Sequence, residues 1–299
     1  MENPYWSLIA DDGTHFRYHY DNLNDAPIDT KVLTLTSHTL NWQRAREFKQ
    51  LEELQLYFCN KAQFLALPDF PKVKRMVLCK ARPDSFACLD RQTDLTELKL
   101  IYVSKPTSLE PIGRLTNLTS LAIENLRNVE DFSPLGNLKK LRYLSIEGTF
   151  DWNQKIIDFD FLGEMENLEV LRITSIAPKK EGLPLASLIK LKNLKEIFVL
   201  GFPTSQYAWF EVNMAHVKGA VKPPYRKFYH HIEGNSYTTR EFAWGEDEQL
   251  AGCSYGAYFL GCEARDPSGS YESVTKRCNA YAEMYQKLVE YYTEIKHSN

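Results

Sequence analysis

The residue types that could do chemistry are concentrated in the last third of the 299-residue chain. Gly252-Cys253-Ser254-Tyr255-Gly256 matches the G-x-S-x-G pattern of serine hydrolases. In that pattern the serine lies on a sharp turn between a strand and a helix, and an acid and a histidine follow it in the chain. Here residues 255–261 predict a strand instead, and the one histidine that follows is His297. The sequence therefore disfavours a serine hydrolase.

Histidines and cysteines in the same region are candidate metal ligands: His216, His230, His231, Cys253, Cys262 and Cys278. Zinc sites usually take their ligands as pairs at a short fixed spacing, such as two cysteines separated by about two to four residues. The spacing Cys253-x₈-Cys262-x₁₅-Cys278 does not fit this pattern. We therefore predict neither a metal site nor a bound cofactor, and we expect Cys278 to be an ordinary buried thiol on a helix.

A basic stretch interleaved with aromatic residues lies just before these motifs. It comprises Lys218, Lys222, Arg226, Lys227, His230 and His231, with Tyr225, Phe228 and Tyr229 between them. This combination is typical of nucleic-acid or phosphate binding, but Glu246-Asp247-Glu248 follows and is equally able to pair with it inside the protein. The whole chain has 36 basic and 39 acidic residues, so it offers no overall basic field. Nucleic acid is the less favoured interpretation.

The elements that must position these groups are dominated by an internal repeat. The phrase L-x-x-L-x-L, with conservative replacements, begins at positions 51, 73, 95, 118, 141, 168 and 194, and a weaker copy begins at position 30. Successive copies start 21 to 27 residues apart, which is the period of leucine-rich repeats. Eight copies in register predict that residues 30–202 form one repeat array.

The spacing of the apolar residues predicts how the array folds. The last two apolar residues of each phrase are two positions apart, so they point to the same face of a strand. Stacked units therefore build a parallel sheet with a continuous apolar ladder, in which each buried side chain contributes about 1.5–3 kcal/mol. The similar phrases 109–115 and 132–138 predict short helices or turns on the convex side. The predicted fold class is α/β, a leucine-rich repeat solenoid with a curved parallel sheet, capped at both ends.

The two units from Leu109 to Gly148 resemble the short-repeat, internalin-like class of bacterial leucine-rich repeat proteins. The resemblance covers residues 30–202 and implies a curved solenoid that binds a protein partner. The family usually has asparagine or cysteine three residues after the third apolar position. Here that slot holds Cys59, Ala81, Val103, Leu126, Thr149, Ile176 and Phe202, so the asparagine ladder is absent from it.

Residues that alternate with the apolar ladder are expected to face outward on the concave side of the sheet. They include the aromatic and charged types that anchor protein interfaces. The candidate partner-binding residues on this face are Tyr57, Arg75, Lys99, Glu124, Tyr143, Glu147, Arg172 and Phe198. The two longest repeats insert residues around Trp152 and around positions 177–182, and Trp152 either anchors a partner or packs back on the array.

Both ends of the chain lack the repeat. In residues 1–29, two alternating runs separated by Gly13 predict a hairpin that caps the first repeat. Residues 203–299 predict a small α+β cap that ends in a helix opening near Ser270, with an apolar face that runs from Val274 to Ile295. The predicted domains are an N-terminal cap (1–29), the repeat array (30–202) and a C-terminal capping region (203–299).

Location and function complete the prediction. The first residues lack the features of a signal peptide, no apolar run is long enough to cross a membrane, and the six cysteines are taken as reduced thiols, which together favour a cytoplasmic protein. We predict a non-catalytic scaffold that recognises an unidentified protein partner through the concave face. The alternative is an enzymatic, metal-binding or ligand-binding module in residues 203–299 that the solenoid supports.

Overall fold

Each repeat phrase forms one strand, as the alternation of apolar residues predicts. The computed structural model describes residues 4–10, 15–65, 70, 72–233, 236–243, 245 and 248–298. Its first ten strands are β1 (Val32–Thr36), β2 (Glu53–Tyr57), β3 (Arg75–Cys79), β4 (Glu97–Ile101), β5 (Ser120–Glu124), β6 (Tyr143–Glu147), β7 (Gln154–Ile156), β8 (Val170–Thr174), β9 (Ile176–Pro178) and β10 (Glu196–Val199). Eight of them form a parallel sheet in the order β1-β2-β3-β4-β5-β6-β8-β10. The chain divides into two compact units, Met1–Leu200 and Gly201–Asn299, and this sheet lies in the first.

The strands pair without a shift in register, so equivalent residues of successive repeats are stacked. Leu54 pairs with Leu33 on one side and with Met76 on the other, and Leu98 follows Met76 in the same line. These side chains are all fully buried. The predicted apolar ladder and the leucine-rich repeat fold are therefore confirmed.

Short helical turns carry the chain back from one strand to the next. They are α1 (Lys61–Leu65), α2 (Glu110–Gly113) and the 3₁₀ helices Trp42–Glu47, Phe86–Arg91, Ser133–Asn137, Asp160–Glu164 and Ala186–Lys190. Pro111 and Pro134 lie at the start of two successive turns, where the N–H that proline lacks would have no partner in the helix. Gly113 allows these two turns to approach closely, because a Cβ there would lie 2.4 Å from the carbonyl oxygen of Pro134.

The residues that follow five of the strands make the turn without an asparagine in the expected slot. Phe58, Lys80, Tyr102, Asn125 and Ser175 all have φ between 50° and 57°, in the left-handed region. The N–H groups of the first four extend the hydrogen bonding of the sheet; for example, the N–H of Phe58 donates to the carbonyl oxygen of Cys79 over 2.9 Å. The expected asparagine slot is instead filled by buried apolar residues such as Ala81 and Leu126.

Side-chain amides complete the turns at both edges of the sheet. The Gln154 amide accepts the N–H of Leu126 over 3.0 Å and donates to the carbonyl oxygen of Val129 over 2.7 Å. At the opposite edge, where the strands begin, the amides of Asn117, Asn167 and Asn193 each donate to a backbone carbonyl of the preceding repeat over 2.8–3.0 Å. Asparagines therefore bridge repeats at the strand entrances, and Asn128, which donates to the carbonyl oxygen of Ser104, does so near the strand exits.

The residues inserted in the two longest repeats form a second, smaller sheet. In it β7 and β9 pair in parallel. The guanidinium of Arg127 lies over the Trp152 ring, 5.7 Å from its centroid, and Trp152 is half-buried. Of the two alternatives for Trp152, the structure supports packing against the array.

The hairpin predicted for residues 1–29 is wrong for the part of this segment that the structure describes. Residues 4–10 contain no strand, and His15–Tyr18 is a 3₁₀ helix, as is Leu23–Asp25. Gly13, the predicted turn, lies outside the described residues. The physical reason is that Tyr5 and Trp6 pack against Tyr143 on the outward face of the repeat sheet instead of against a second N-terminal strand.

The second unit combines an antiparallel sheet with two helices. Its elements are α3 (Thr204–Asn213), β11 (Tyr225–Glu233), β12 (Ser236–Glu241), β13 (Cys253–Phe259), β14 (Ser268–Gly269) and α4 (Tyr271–Ser298), with sheet order β12-β11-β13-β14. On the predicted apolar face of α4, Val274 and Tyr285 are buried but Ile295 is 39% exposed. The packed face therefore covers the first half of the helix. None of the helices in the described parts of the chain has the length and apolar composition of a membrane span.

Candidate functional site

The sheet of the first unit presents alternate side chains on the face opposite to the apolar ladder, which we call the concave face. In-register pairing aligns them in three rows across the strands. The first row is Val32, Glu53, Arg75, Glu97, Ser120, Tyr143, Val170 and Glu196; the second is Thr34, Gln55, Val77, Lys99, Ala122, Ser145, Arg172 and Phe198; the third is Thr36, Tyr57, Cys79, Ile101, Glu124, Glu147 and Thr174. The candidate residues named from the sequence all lie in these rows.

Residues 4–10, which we call the strap, lie along the first row. At the β2 end, the N–H groups of Ile9 and Ala10 donate to the two carboxylate oxygens of Glu53 over 2.7 and 2.9 Å. Arg75 Nε donates to Glu53 Oε2 over 3.0 Å. Glu53 has no exposed surface, so its buried charge is balanced by one cation and by the backbone of the strap.

The middle of the strap is fixed in the same way. The N–H of Ser7 donates to Glu97 Oε2 over 2.9 Å, and the Ser7 hydroxyl donates to the other oxygen of Glu97. One strand further, the hydroxyl of Ser120 donates to the carbonyl oxygen of Tyr5. A carboxylate that accepts backbone N–H groups makes charge-assisted hydrogen bonds, which are stronger than those between neutral groups.

Aromatic rings hold the far end of the strap. The ring centroids of Tyr5 and Trp6 lie 5.7 and 5.6 Å from that of Tyr143. Lys99 Nζ lies 5.1 Å from the centroid of Trp6, and the guanidinium of Arg142 lies 5.4 Å from that of Tyr5. Tyr143 is left only 8% exposed. The Tyr5 ring is tilted by 34° to Tyr143 and the Trp6 ring meets it edge-on at 76°, so these contacts combine apolar burial with cation–π attraction.

The Glu169 carboxylate closes this aromatic end. Its Oε2 accepts a hydrogen bond from the Tyr5 hydroxyl over 3.1 Å, and its Oε1 accepts one from Arg142 Nε over 2.6 Å. The hydrogen bonds from Arg142 and from Lys195 lower the pKa of Glu169 to about 2. Burial and the hydrogen bond to Glu169 raise the pKa of Tyr5. The pair therefore consists of an ionised carboxylate and a protonated phenol.

Sequence reasoning missed the strap and its acceptors. Arg75, Lys99 and Tyr143, all named from the sequence, contact the strap or its anchor, whereas Glu53 and Glu97 were not singled out. The signal that could have found these two is their position: each glutamate occupies the first position of its strand, in the same outward row.

The concave face beyond the strap carries exposed side chains. The guanidinium of Arg172 lies 4.6 Å from the centroid of the Phe198 ring. Phe198 is 37% exposed and Leu200, which follows β10, is 42% exposed. Glu147 accepts a hydrogen bond from the Ser145 hydroxyl over 2.5 Å. We call this part of the concave face, formed by Glu147, Arg172, Phe198 and Leu200, the open half. It combines a cation, an acid and apolar groups.

Besides Glu147, two candidate residues lie in the third row, Tyr57 and Glu124. Tyr57 is only 8% exposed. Glu124 lies beside Tyr102, where burial and the charge of Glu124 raise the pKa of the Tyr102 hydroxyl. Tyr57 therefore offers less surface than Phe198 of the open half, whereas Glu124 is half-buried.

The edge where the strands end carries a pocket that the sequence did not predict. It has a volume of about 590 Å³ and is lined by the rings of Phe58 and Tyr102 together with the cationic side chains of Lys61, Lys80, Arg82, Lys105 and Arg127. Lys61 and Lys105 both pair with Asp84, and their hydrogen bonds lower the pKa of that carboxyl. The edge is thus cationic and aromatic.

The second unit holds the chemical motifs singled out in the sequence, but it does not arrange them as a serine hydrolase requires. Ser254 lies inside β13, so it is not on a turn between a strand and a helix. The adjacent Cys253 lies with its Sγ 3.4 Å from Nδ1 of His231 on β11. Within the described residues, no group of three or more histidine, cysteine, aspartate or glutamate side chains is placed to hold a metal ion.

The basic stretch of the second unit is divided between the two faces of β11. Lys227 is buried and donates to the hydroxyl of Thr275 on α4 over 3.0 Å. Its neighbour Arg226 points to the other face, where it pairs with Glu241 over 3.2 Å. Glu246 and Asp247, the expected acidic partners, lie outside the described residues. The stretch therefore does not form one continuous basic surface.

These observations define the class of the protein: a leucine-rich repeat array whose own N-terminal segment lies on its concave face. No protein-family model and no curated protein matches the chain. Several solved structures are similar to it. An internalin C2 (inlC2) of Listeria monocytogenes is 20% identical, with 57% of this chain and 72% of that chain covered and a TM-score of 0.45.

Two further structures have comparable similarity. An internalin (inlF) of Listeria monocytogenes is 20% identical, with 52% of this chain covered and a TM-score of 0.40. The match spans 42% of that internalin, less than half of its length. The leucine-rich repeat domain of the type III effector XopL is 18% identical, with 57% of this chain and 69% of that chain covered and a TM-score of 0.37.

Proposed function

We propose that this protein is a non-catalytic scaffold that recognises a partner protein through its concave face. The observation that carries the proposal is the open half of that face. There the Arg172 guanidinium stacks on Phe198, and Glu147 and Leu200 add an acid and an apolar group, all on adjacent strands of one sheet. Arginine and aromatic residues are the types that contribute most to binding at protein interfaces.

The rigidity of the sheet supports the same proposal. The strands that present these side chains are fixed from behind by a fully buried ladder that includes Leu144, Leu171 and Ile173. A preformed surface loses little conformational entropy on binding, so more of the contact energy appears as affinity. The candidate contact residues remain Tyr57, Arg75, Lys99, Glu124, Tyr143, Glu147, Arg172 and Phe198, with the open half as the first point of attachment.

The experiment is a capture from lysate of the source cells, quantified by mass spectrometry. The test bait carries Glu147→Lys, Arg172→Glu and Phe198→Ala, which reverse or remove the chemistry of the open half. The matched control bait carries Lys192→Glu and Ile189→Ala, two exposed residues of the return turn and its exit. We expect wild type and control to capture the same partner and the test bait to lose at least about tenfold of it, which corresponds to about 1.4 kcal/mol.

A partner that all three baits capture equally contradicts binding through the open half. The cationic edge pocket then becomes the next surface to test, with Lys80→Glu and Arg82→Glu. Circular dichroism of each bait establishes that the array is folded before the captures are compared.

A second candidate function is an enzymatic module in residues 203–299 that uses a cysteine nucleophile, and it rests on the Cys253–His231 pair. A thiol within hydrogen-bonding distance of an imidazole can form a thiolate nucleophile. If the pair is reactive, Cys253 is alkylated by iodoacetamide at pH 7 about tenfold faster than in a His231→Ala variant. Burial raises the pKa of Cys59 to about 12, so Cys59 serves as the unreactive internal reference. Equal alkylation of Cys253 with and without His231 removes this candidate.

We also propose a cytoplasmic location. Six cysteines in 299 residues are too few for a disulfide framework, and the apolar core does not need one. Cysteines that stay reduced are typical of cytoplasmic proteins, which supports this location. Cell fractionation of a tagged chain tests the location: recovery in the soluble intracellular fraction is expected, and recovery in the medium or the envelope contradicts it.

A further inference from the structure

We propose that the first row of the concave face, from β2 to β6, is a binding groove for a short peptide, and that the strap is its tethered occupant. The ligand class is a segment of a partner protein that has two adjacent aromatic residues followed by small or aliphatic residues. This inference rests on the proposed function, because it names the kind of segment that the scaffold recognises.

The backbone of the ligand is recognised by two buried carboxylates. Glu53 accepts the N–H groups of two consecutive residues, Ile9 and Ala10, and Glu97 accepts the N–H of Ser7. A main-chain N–H is present in every residue except proline, so these contacts select a backbone conformation, with a bend at Ile9 and Ala10, rather than a particular side chain. A segment of any protein that adopts this bend without proline at these positions offers the same donors.

The side chains of the ligand are recognised at the β6 end of the groove. Tyr143 contacts both adjacent rings of the strap, with Lys99 over one and Arg142 over the other. This arrangement needs two neighbouring aromatic residues in the ligand, because one ring alone would leave one cation without its ring. The aromatic pair therefore provides the specificity, and the carboxylates provide the general affinity.

The length of the groove matches a short peptide. The strap runs opposite to the order of the strands, with Ala10 at β2 and Tyr5 at β5 and β6. Five adjacent strands span about 19 Å, and six residues reach at most about 20 Å. A ligand of about six residues fills the groove.

The tether explains how a partner can replace the strap. Ile9 is 50% exposed and Ser7 is also exposed, so the strap buries only part of its surface. A tethered segment acts at an effective concentration of about millimolar. A partner segment therefore displaces the strap only if it binds the groove more tightly than the strap sequence does, or if its own concentration is higher. The intact chain is then expected to bind such peptides more weakly than a chain whose own strap is impaired.

The test uses the full chain and a peptide copied from it. The probe is fluorescein-labelled Pro-Tyr-Trp-Ser-Leu-Ile-Ala, residues 4–10, with an amidated C-terminus. The strap variant carries Tyr5→Ala, Trp6→Ala and Ile9→Pro, which remove both rings and one N–H donor. By fluorescence anisotropy, we expect the probe to bind this variant at least about tenfold more tightly than it binds wild type.

Two further variants localise the binding. Adding Tyr143→Ala to the strap variant is expected to weaken the probe by at least about tenfold, whereas adding Ile189→Ala on the return turn leaves it unchanged. The inference is overturned if the probe does not bind the folded strap variant, or if it binds wild type equally well. If the strap variant does not fold, excess probe is added to wild type instead, and unchanged hydrogen exchange at the Ile9 and Ala10 amides overturns the inference.

The outcomes separate this inference from the proposed function. Absence of probe binding, together with loss of the partner from the test bait that carries Arg172→Glu, overturns the peptide groove and leaves the scaffold proposal standing. Probe binding together with unchanged partner capture by that bait supports the peptide groove and overturns binding of the partner through the open half.

Discussion

Charged side chains lie on both halves of the concave face, but their partners differ. In the half beneath the strap, Glu53 and Glu97 are buried and accept main-chain N–H groups. In the open half, Arg172 lies on the ring of Phe198 and both side chains retain exposed surface. The two halves belong to one sheet with one register, so the backbone is not the source of the difference.

The comparison shows how a repeat surface can be specialised without changing the repeat. A charge that is buried must find several donors or acceptors, whereas a charge that stays partly in water needs few. The buried glutamates at the first position of β2 and β4 therefore mark where a second piece of backbone is bound, whereas Glu196, at the first position of β10, is only half-buried. An arginine on an exposed ring marks surface that remains available.

The largest expected effect comes from removing the central ring of each half. Tyr143→Ala is expected to destabilise the array by about 3 kcal/mol, because a nearly buried ring and two aromatic contacts are lost. Phe198→Ala is expected to cost below about 1 kcal/mol, since its ring is already partly in water. Urea denaturation followed by hydrogen exchange of β6 and β10 measures both. Similar losses for the two variants would break the distinction between the halves.

An intermediate effect is expected from neutralising one acid in each half. Glu53→Gln keeps the shape but replaces charge-assisted bonds to Ile9 and Ala10, which costs about 1.5–3 kcal/mol. Hydrogen exchange of these two amides should therefore accelerate by about 10- to 150-fold. Glu147→Gln is the matched control and should leave both amides unchanged. Equal exchange in both variants would mean that Glu53 does not hold the strap.

The smallest effect sharpens the boundary between the halves. The pKa of Glu169 is held at about 2, below its ordinary 4.5, so its stabilisation is present above pH 4.5 and is lost as the pH falls toward 2. We expect the free energy of unfolding of wild type to fall over this interval more steeply than that of Glu169→Gln. Urea denaturation at several pH values provides the comparison. Parallel curves would show that Glu169 is not preferentially ionised in the folded array.

The repeat array could be predicted from the sequence because its signals are local and periodic. Leu54 and Leu56, and their equivalents in every repeat, are separated by two positions, and that spacing fixes both strand and face. The alternation also placed Arg172 and Phe198 on the outward face. What the pattern could not predict was the exit turn, because left-handed residues such as Phe58 and Tyr102 are not glycines.

The strap could not be predicted because its contacts are distant in the chain. Ala10 meets Glu53 across 43 residues, and Tyr5 meets Glu169 across 164. Alternation within residues 5–9 is compatible with a strand, and a short apolar segment carries no information about which surface it covers. The hairpin was expected for this reason, and the side chains of the repeat sheet decided otherwise.

The left-handed residues at the strand exits give the array a second, independently variable surface. An L-residue in this conformation is less stable than glycine by about 1–2 kcal/mol, yet Phe58, Lys80 and Tyr102 occupy it with exposed side chains. These side chains belong to neither the core nor the concave rows. They lie one strand spacing apart along the edge where the strands end, so substitutions there can vary that edge while leaving the peptide groove intact. This edge is therefore a suitable place to introduce new binding specificities into the scaffold. Replacing any one of these residues by glycine is expected to raise the stability of the array.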